Sequence, residues 1–139
     1  MTNLPSTPEQ SARKLIDASL ESAGWVVQDR YAINLQASRG VAVREVPIGD
    51  GGFCDYLLYV DQRIVGVLEA KKDGVTLDEV HAQALRYAEN LTPAQQLNAV
   101  LAGGRLPFVY ESTSAETYFT NHFDPDPRSR RIFAVQRPE

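Results

Sequence analysis

The chain has a single cysteine, Cys54, in 139 residues. One thiol closes no internal disulfide and builds no cysteine zinc cluster, which fits a reducing compartment. Histidine is scarce as well. The two, His81 and His122, lack ligand spacing and speak against a zinc centre. Positive charge is in deficit, with 14 Lys plus Arg against 18 Asp plus Glu and a net charge of −4. A small free-standing nucleic-acid binder is usually basic. Phosphate binding here would therefore need a local patch, a metal ion or a partner. Long apolar runs are missing too. The longest are of the order of Tyr56–Val60, against the roughly 18 residues that span a bilayer. The opening MTNLPSTPEQSARK has no basic start followed by an apolar block, so it does not read as a signal peptide. These absences together predict a cytoplasmic protein away from membranes. What is present, 43% hydrophobic and 23% charged residues with nine Gly and eight Pro, is ordinary globular material. The length suits a single domain over 1–139.

Thr7-Pro8-Glu9-Gln10 carries a helix start: a capping hydroxyl, Pro at the first turn and Gln three residues on. Ala12, Leu15, Ile16, Leu20 and Ala23 then recur at helical spacing up to Gly24, predicting a helix over about 8–23. The middle of the chain reads as strands: an apolar start at Trp25–Val27, then 41–46, 53–60 and 64–70. Thr76 and Glu79 cap a second predicted helix over about 77–91, and Pro93 breaks it. A short helix is expected within 94–102, and short strands at 108–110, 118–120 and 132–136. The order predicts an α/β fold, a mixed sheet flanked by helices.

The chemistry concentrates in the hairpin formed by 53–60 and 64–70. With a three-residue loop, Asp61 to Arg63, Val60 faces Ile64 and Asp55 faces Glu69. Opposed residues of an antiparallel pair share a face, with Cβ atoms about 4.5–5.5 Å apart. Lys71, two residues on, joins that face. A two-residue loop would send Glu69 to the other side. Two carboxylates so close repel unless one is protonated or a cation lies between them. Hard oxygen donors favour Mg²⁺. The bland alternative is an ion pair at a strand end.

Asp55 followed by Glu69-Ala70-Lys71 resembles the PD-(D/E)xK nuclease motif, and Gln83 with Tyr87 matches the Q-x-x-x-Y motif of one branch. Further matches run through Ala12-Arg13, Leu15-Ile16-Asp17, Ala23-Gly24-Trp25, Val43-Arg44-Glu45, Gly51 to Tyr59, Val67 to Lys72, Pro107-Phe108, Glu111-Ser112-Thr113, Arg128-Ser129-Arg130 and Arg137-Pro138-Glu139. Together they resemble the N-terminal nuclease domain of the type I restriction enzyme R (restriction and motor) subunit. The resemblance implies a restriction-endonuclease-like core and a Mg²⁺-dependent DNA endonuclease, with Mn²⁺ able to substitute. Asp55, Glu69 and the Ala70 carbonyl would hold the metal, and Lys71 would position or activate water. Gln83 and Tyr87 would buttress the site or touch DNA. Glu9 would be an additional acidic group, although it also suits a first helical turn. The implied partners are duplex DNA, a motor domain, and specificity and methylation subunits. The chain has no G-x-x-x-x-G-K loop, so it is not expected to bind ATP. The family protein is much longer, so this chain is expected to be an excised or truncated domain.

Two other functions compete. One is a non-catalytic docking module for restriction-complex subunits, and the other is a standalone repair or junction nuclease. If Asp55 and Glu69 repel in a metal-free site, Asp55→Asn should stabilise the protein by about 1 kcal/mol. Elsewhere, Arg128, Arg130 and Arg131 read as a solvated loop beside Asp124 and Asp126. Asp17 and Glu21 lie off the apolar stripe and read as solvated. Trp25 and Cys54 read as core.

Overall fold

The computed structural model describes residues 8–49, 52–70, 91–102, 106–112, 117–125, 130–132 and 135–138, with side chains from residue 13 onward. Helix α1 spans Pro8–Ser22, close to the expected range. Ile16 and Leu20 are buried, whereas Leu15, one residue off their ridge, is exposed. Gly24 ends the helix with φ +97, a backbone that suits glycine. Gly24 N–H donates to Glu21 O and Trp25 N–H to Leu20 O, both at 3.0 Å. Leu20 and Trp25 then pack in one cluster, which completes the cap.

Among the described residues, seven strands follow in one mixed sheet: β1 Val26–Asp29, β2 Gly40–Pro47, β3 Phe53–Val60, β4 Arg63–Ala70, β5 Phe108–Ser112, β6 Thr117–Asn121 and β7 Arg130–Ile132. Their spatial order is their chain order. The β1–β2 and β4–β5 pairs are parallel and the others antiparallel. The architecture is thus α/β, as expected. Ile16, Leu20, Trp25, Tyr56, Leu58 and Leu68 form the core on the α1 face. Val43, Leu57, Val67, Leu91 and Val109 belong to the other core.

The β3–β4 turn differs from expectation. Val60 pairs with Arg63, so the loop is two residues, Asp61 and Gln62, both left-handed at φ 50 and 69. That is the turn whose twist suits a hairpin. The register then shifts between Leu58 and Tyr59, because Ile64 faces Tyr59 and Gly66 faces Leu58. Val65 is the extra residue of a β-bulge. One bulge offsets the shorter loop, and Tyr56 pairs with Leu68 as a three-residue loop would have required. Gly66 is needed where it lies, since a Cβ there would stand 2.5 Å from Phe108 O on β5.

Two other expectations shift. Helix α2 is only Pro93–Leu97, with a Thr92/Gln95 capping box. The chain then leaves the helix because Ile64 N–H donates to Asn98 O and Val100 N–H to Ile64 O. Strand β7 lies earlier than 132–136. Gln136 O instead accepts from Trp25 Nε1 at 2.8 Å, and its side-chain oxygen accepts from Tyr110 Oη at 3.0 Å. These bonds pull the end of the chain off the sheet as a strap. The expected second helix lies outside the described residues except for Leu91, at its expected end, which is buried. No helix among the described residues is long and apolar enough to cross a membrane.

Candidate active site

Strands β3 and β4 carry the first two predicted site residues at neighbouring positions. Continuing the Tyr56–Leu68 register by one step places Asp55 opposite Glu69. Asp55 does more than face it. Its Oδ2 accepts the Ala70 backbone N–H at 2.7 Å, so the carboxylate closes the gap at the end of β4. Its Oδ1 accepts from Arg13 Nη2 at 3.1 Å. The Asp55 side chain is 15% exposed, leaving it within reach of solvent. Glu69, at 2%, is buried. The parallel β4–β5 ladder then pairs Glu69 with Glu111, which is 1% exposed. Three carboxylates therefore stand at register-matched positions across β3, β4 and β5.

A backbone irregularity surrounds Asp55. Val43 and Val46 lie in one core cluster, as do Cys54 and Leu57. Each pair is three residues apart, so the period-two alternation resets on both strands between Arg44–Val46 and Cys54–Tyr56. Glu45 occupies that break opposite Asp55, with φ +54, a left-handed backbone that costs a non-glycine residue about 1–2 kcal/mol. Arg13 bonds Glu45 Oε1 through Nη1 while Nη2 holds Asp55. Burial lowers the Arg13 pKa, but the hydrogen bond to Glu45 and the charge of Asp55 outweigh it and raise the value.

The negative field of the site registers on Cys54. Its thiol is pushed up to about 12, first by burial and then by the charges of Glu69 and Asp55. The thiol is buried and free, as core chemistry predicted. Asp17 corrects an expectation, because it is tied down and not simply solvated. It accepts from Tyr56 Oη and from Arg44 Nη1, the latter at 2.9 Å, and Arg44 Nη2 reaches Asp29 at 3.0 Å. Burial, and then the Asp17 hydrogen bond, raise the Tyr56 pKa. This network anchors α1, and so Arg13, to β2 and β3.

Lys71, Gln83 and Tyr87 lie outside the described residues, as does the Glu9 side chain. Arg130 and Arg131 lie on strand β7 and not in a loop, although both are exposed and Arg130 pairs with Asp124 at 3.8 Å; Arg128 is outside the described residues. Among the described residues, no three or more of His, Cys, Asp and Glu form a cation-binding group. A metal at this place would therefore rely on two carboxylates, a carbonyl and water. Sequence reasoning assigned no role to Arg13, Glu45 or Glu111. Glu111 had a signal in its spacing, two residues from Val109 on a strand whose alternate residues enter the core. Arg13 and Glu45 are among the residues that carry the family resemblance, but no spacing showed that they meet Asp55, which they do only through the break in alternation.

The fold and site define a mixed-sheet α/β domain with acidic residues near the ends of its central strands. A family model described as "Type I restriction enzyme EcoKI endonuclease subunit second domain" matches residues 28–121, well over half the chain. The chain belongs to that family. A curated relative, the type I restriction enzyme EcoKI endonuclease subunit of Escherichia coli (strain K12), is 32% identical over 91 residues, covering 58% of this chain and 8% of that subunit. The chain thus spans less than a tenth of that relative's length. No solved structure matches it.

Proposed function

We propose that this domain is a Mg²⁺-dependent endonuclease domain with a restriction-endonuclease-like core, hydrolysing DNA phosphodiester bonds in a type I restriction-modification system. One observation carries the reading: the 2.7 Å bond from Ala70 N–H to Asp55 Oδ2. It joins the first acidic residue of the motif to the Glu69-Ala70 end of β4, which Lys71 follows in sequence. Membership of a family named for an endonuclease subunit supports the same function.

The donor set fits a hard divalent cation. Carboxylate and carbonyl oxygens suit Mg²⁺, which keeps several waters. Each Asp55 oxygen takes one donor in the structure and retains a second lone pair. Asp55, Glu69 and the Ala70 carbonyl would hold the ion, and Mn²⁺ would substitute. When bound, it would supply Lewis acidity and lower the pKa of bound water. Lys71 would orient that water and meet charge on the phosphate. Gln83 and Tyr87 would support the site, and Glu9 is an additional acidic group from α1. The net charge of −4 suits a domain that receives its DNA from partners, a motor domain with specificity and methylation subunits. On this reading the chain itself binds no ATP and works in the cytoplasm.

The test is plasmid cleavage at high protein concentration with Mg²⁺ or Mn²⁺, comparing wild type with Lys71→Ala. Nicking by wild type alone is expected. Equal activity in both would overturn the role of Lys71. A second reading, a docking module for restriction-complex subunits, draws on the Arg13–Asp55 ion pair, which by itself suits a structural role. It predicts no divalent-metal binding and no cleavage.

A further inference from the structure

Hydrolysis as outlined above assigns nothing to Arg13, yet among the described residues Arg13 is the cation that touches Asp55. Its guanidinium reaches Asp55 Oδ1 at 3.1 Å through Nη2 and Glu45 Oε1 through Nη1. Glu45 lies opposite Asp55 at the break in alternation, held there in a left-handed backbone. Strained non-glycine residues persist where the surroundings fix them, and such places coincide with functional sites. The Asp55 side chain is 15% exposed and that of Glu45 is 51%. One carboxylate is thus inward and the other outward, with a single guanidinium between them.

We propose that Arg13 is a switchable counter-cation for the metal site, a regulation of the proposed nuclease centre that rests on that reading. Without a divalent ion, Arg13 neutralises Asp55. When an ion takes Asp55, the positive guanidinium is repelled and shifts its weight onto Glu45, its outer partner. The planar fork can hold two oxygen acceptors at once, so the shift needs no new contact. The released Nη2 then faces the site, free to meet a phosphate oxygen. Glu45 sets how readily Arg13 lets go.

Two variants separate this device from a plain structural ion pair, because they move metal affinity in opposite directions. Removing a unit charge beside a divalent ion should tighten binding, so Arg13→Gln should bind Mn²⁺ roughly three- to tenfold more tightly. Glu45→Gln leaves Arg13 more fully on Asp55 and should weaken Mn²⁺ binding by a similar factor. The measurement is calorimetric Mn²⁺ titration of the full chain without DNA, with a thermal melt of each variant. A structural ion pair predicts weakening in both. If Arg13→Gln binds no tighter than wild type, or Glu45→Gln no weaker, the switch is overturned. Should Arg13→Gln not fold, Arg13→Met takes its place, with the same tightening expected and the same lack of tightening overturning the switch. Wild-type Mn²⁺ binding lost in Asp55→Asn would keep the nuclease reading even as the switch fails. No Mn²⁺ binding by wild type would overturn both.

Discussion

The stability of Asp55→Asn without metal tests how the Asp55 carboxylate is held. Repulsion between Asp55 and Glu69 alone would make the substitution stabilising. The structure reverses that sign. Asp55 accepts a charge-assisted bond from Ala70 N–H and an ion pair from Arg13. Hydrogen bonds to charged groups contribute about 1.5–3 kcal/mol. The Arg13 side chain is 35% exposed, so solvent screens its pair with Asp55 to below about 1 kcal/mol. Asparagine keeps one acceptor oxygen but turns an N–H₂ toward the second donor. The remaining loss is the charge on one bond and the ion pair, less the relief of repulsion from Glu69 and Glu45. That leaves about 1–2 kcal/mol of destabilisation, or roughly 3–8 °C in Tm for a domain this size. Urea unfolding at pH 7 in chelator, at low and high salt, reads it. The loss should shrink with salt only by the Arg13 share. A variant as stable as wild type, or more stable, would show that repulsion outweighs both partners and would sink this account of the site.

Three further outcomes follow from the same contacts. Tyr56→Phe removes a buried hydroxyl bonded to Asp17 and should cost about 1 kcal/mol in urea unfolding, while Arg44 still holds Asp17. Cys54 has an ordinary thiol value of 9.0 and is pushed to about 12 by burial, then by Glu69 and Asp55. Above pH 9 the unfolded chain gives up this proton and the folded one keeps it. Stability is then full below pH 9 and falls as pH rises toward 12; Cys54→Ala should flatten that fall, and the native thiol should resist alkylation at pH 8. Gly66→Ala would set a methyl 2.5 Å from the Phe108 carbonyl oxygen and should cost about 1–3 kcal/mol. A melting temperature unchanged by that methyl would mean that β4 and β5 do not approach so closely.

Regular pieces of this fold were legible because single elements dictate them. Pro8, the Ile16–Leu20 spacing and Gly24 define α1, and strands β2 to β4 are rich in the residues that strands favour. What failed was decided by distant partners. Gln136 leaves the sheet for Trp25 and Tyr110, which no local pattern announces. Asp17 lies on the polar side of its helix, yet Tyr56 and Arg44 come to it from the sheet. The hairpin loop was misjudged because Asp61-Gln62 is not the Asn-Gly pair that flags a two-residue turn. Gly66 inside a strand was the available clue to a bulge nearby.

The site owes its geometry to two departures from regular pleating, and each has its own task. The Val65 bulge restores register. Without it, the two-residue turn would set Glu69 one step out of line with Asp55 along the sheet. The break at Glu45 and Asp55 controls direction. On an unbroken β3, Asp55 would share the face of Leu57 and Tyr59 and point into their core. Arg13 comes from α1, whose Ile16 and Leu20 pack on the opposite face. With the alternation reset, Cys54 and Val46 keep the core filled on both sides of the break. Asp55 and Glu45 are thereby freed to meet Arg13 and the Ala70 amide. A left-handed Glu45 costs about 1–2 kcal/mol of backbone strain. The alternative is a buried carboxylate without Arg13 or the Ala70 amide, at a penalty of several kcal/mol. The strain is the smaller of the two, so the irregular backbone is the stable way to place an acidic residue at this point of the sheet.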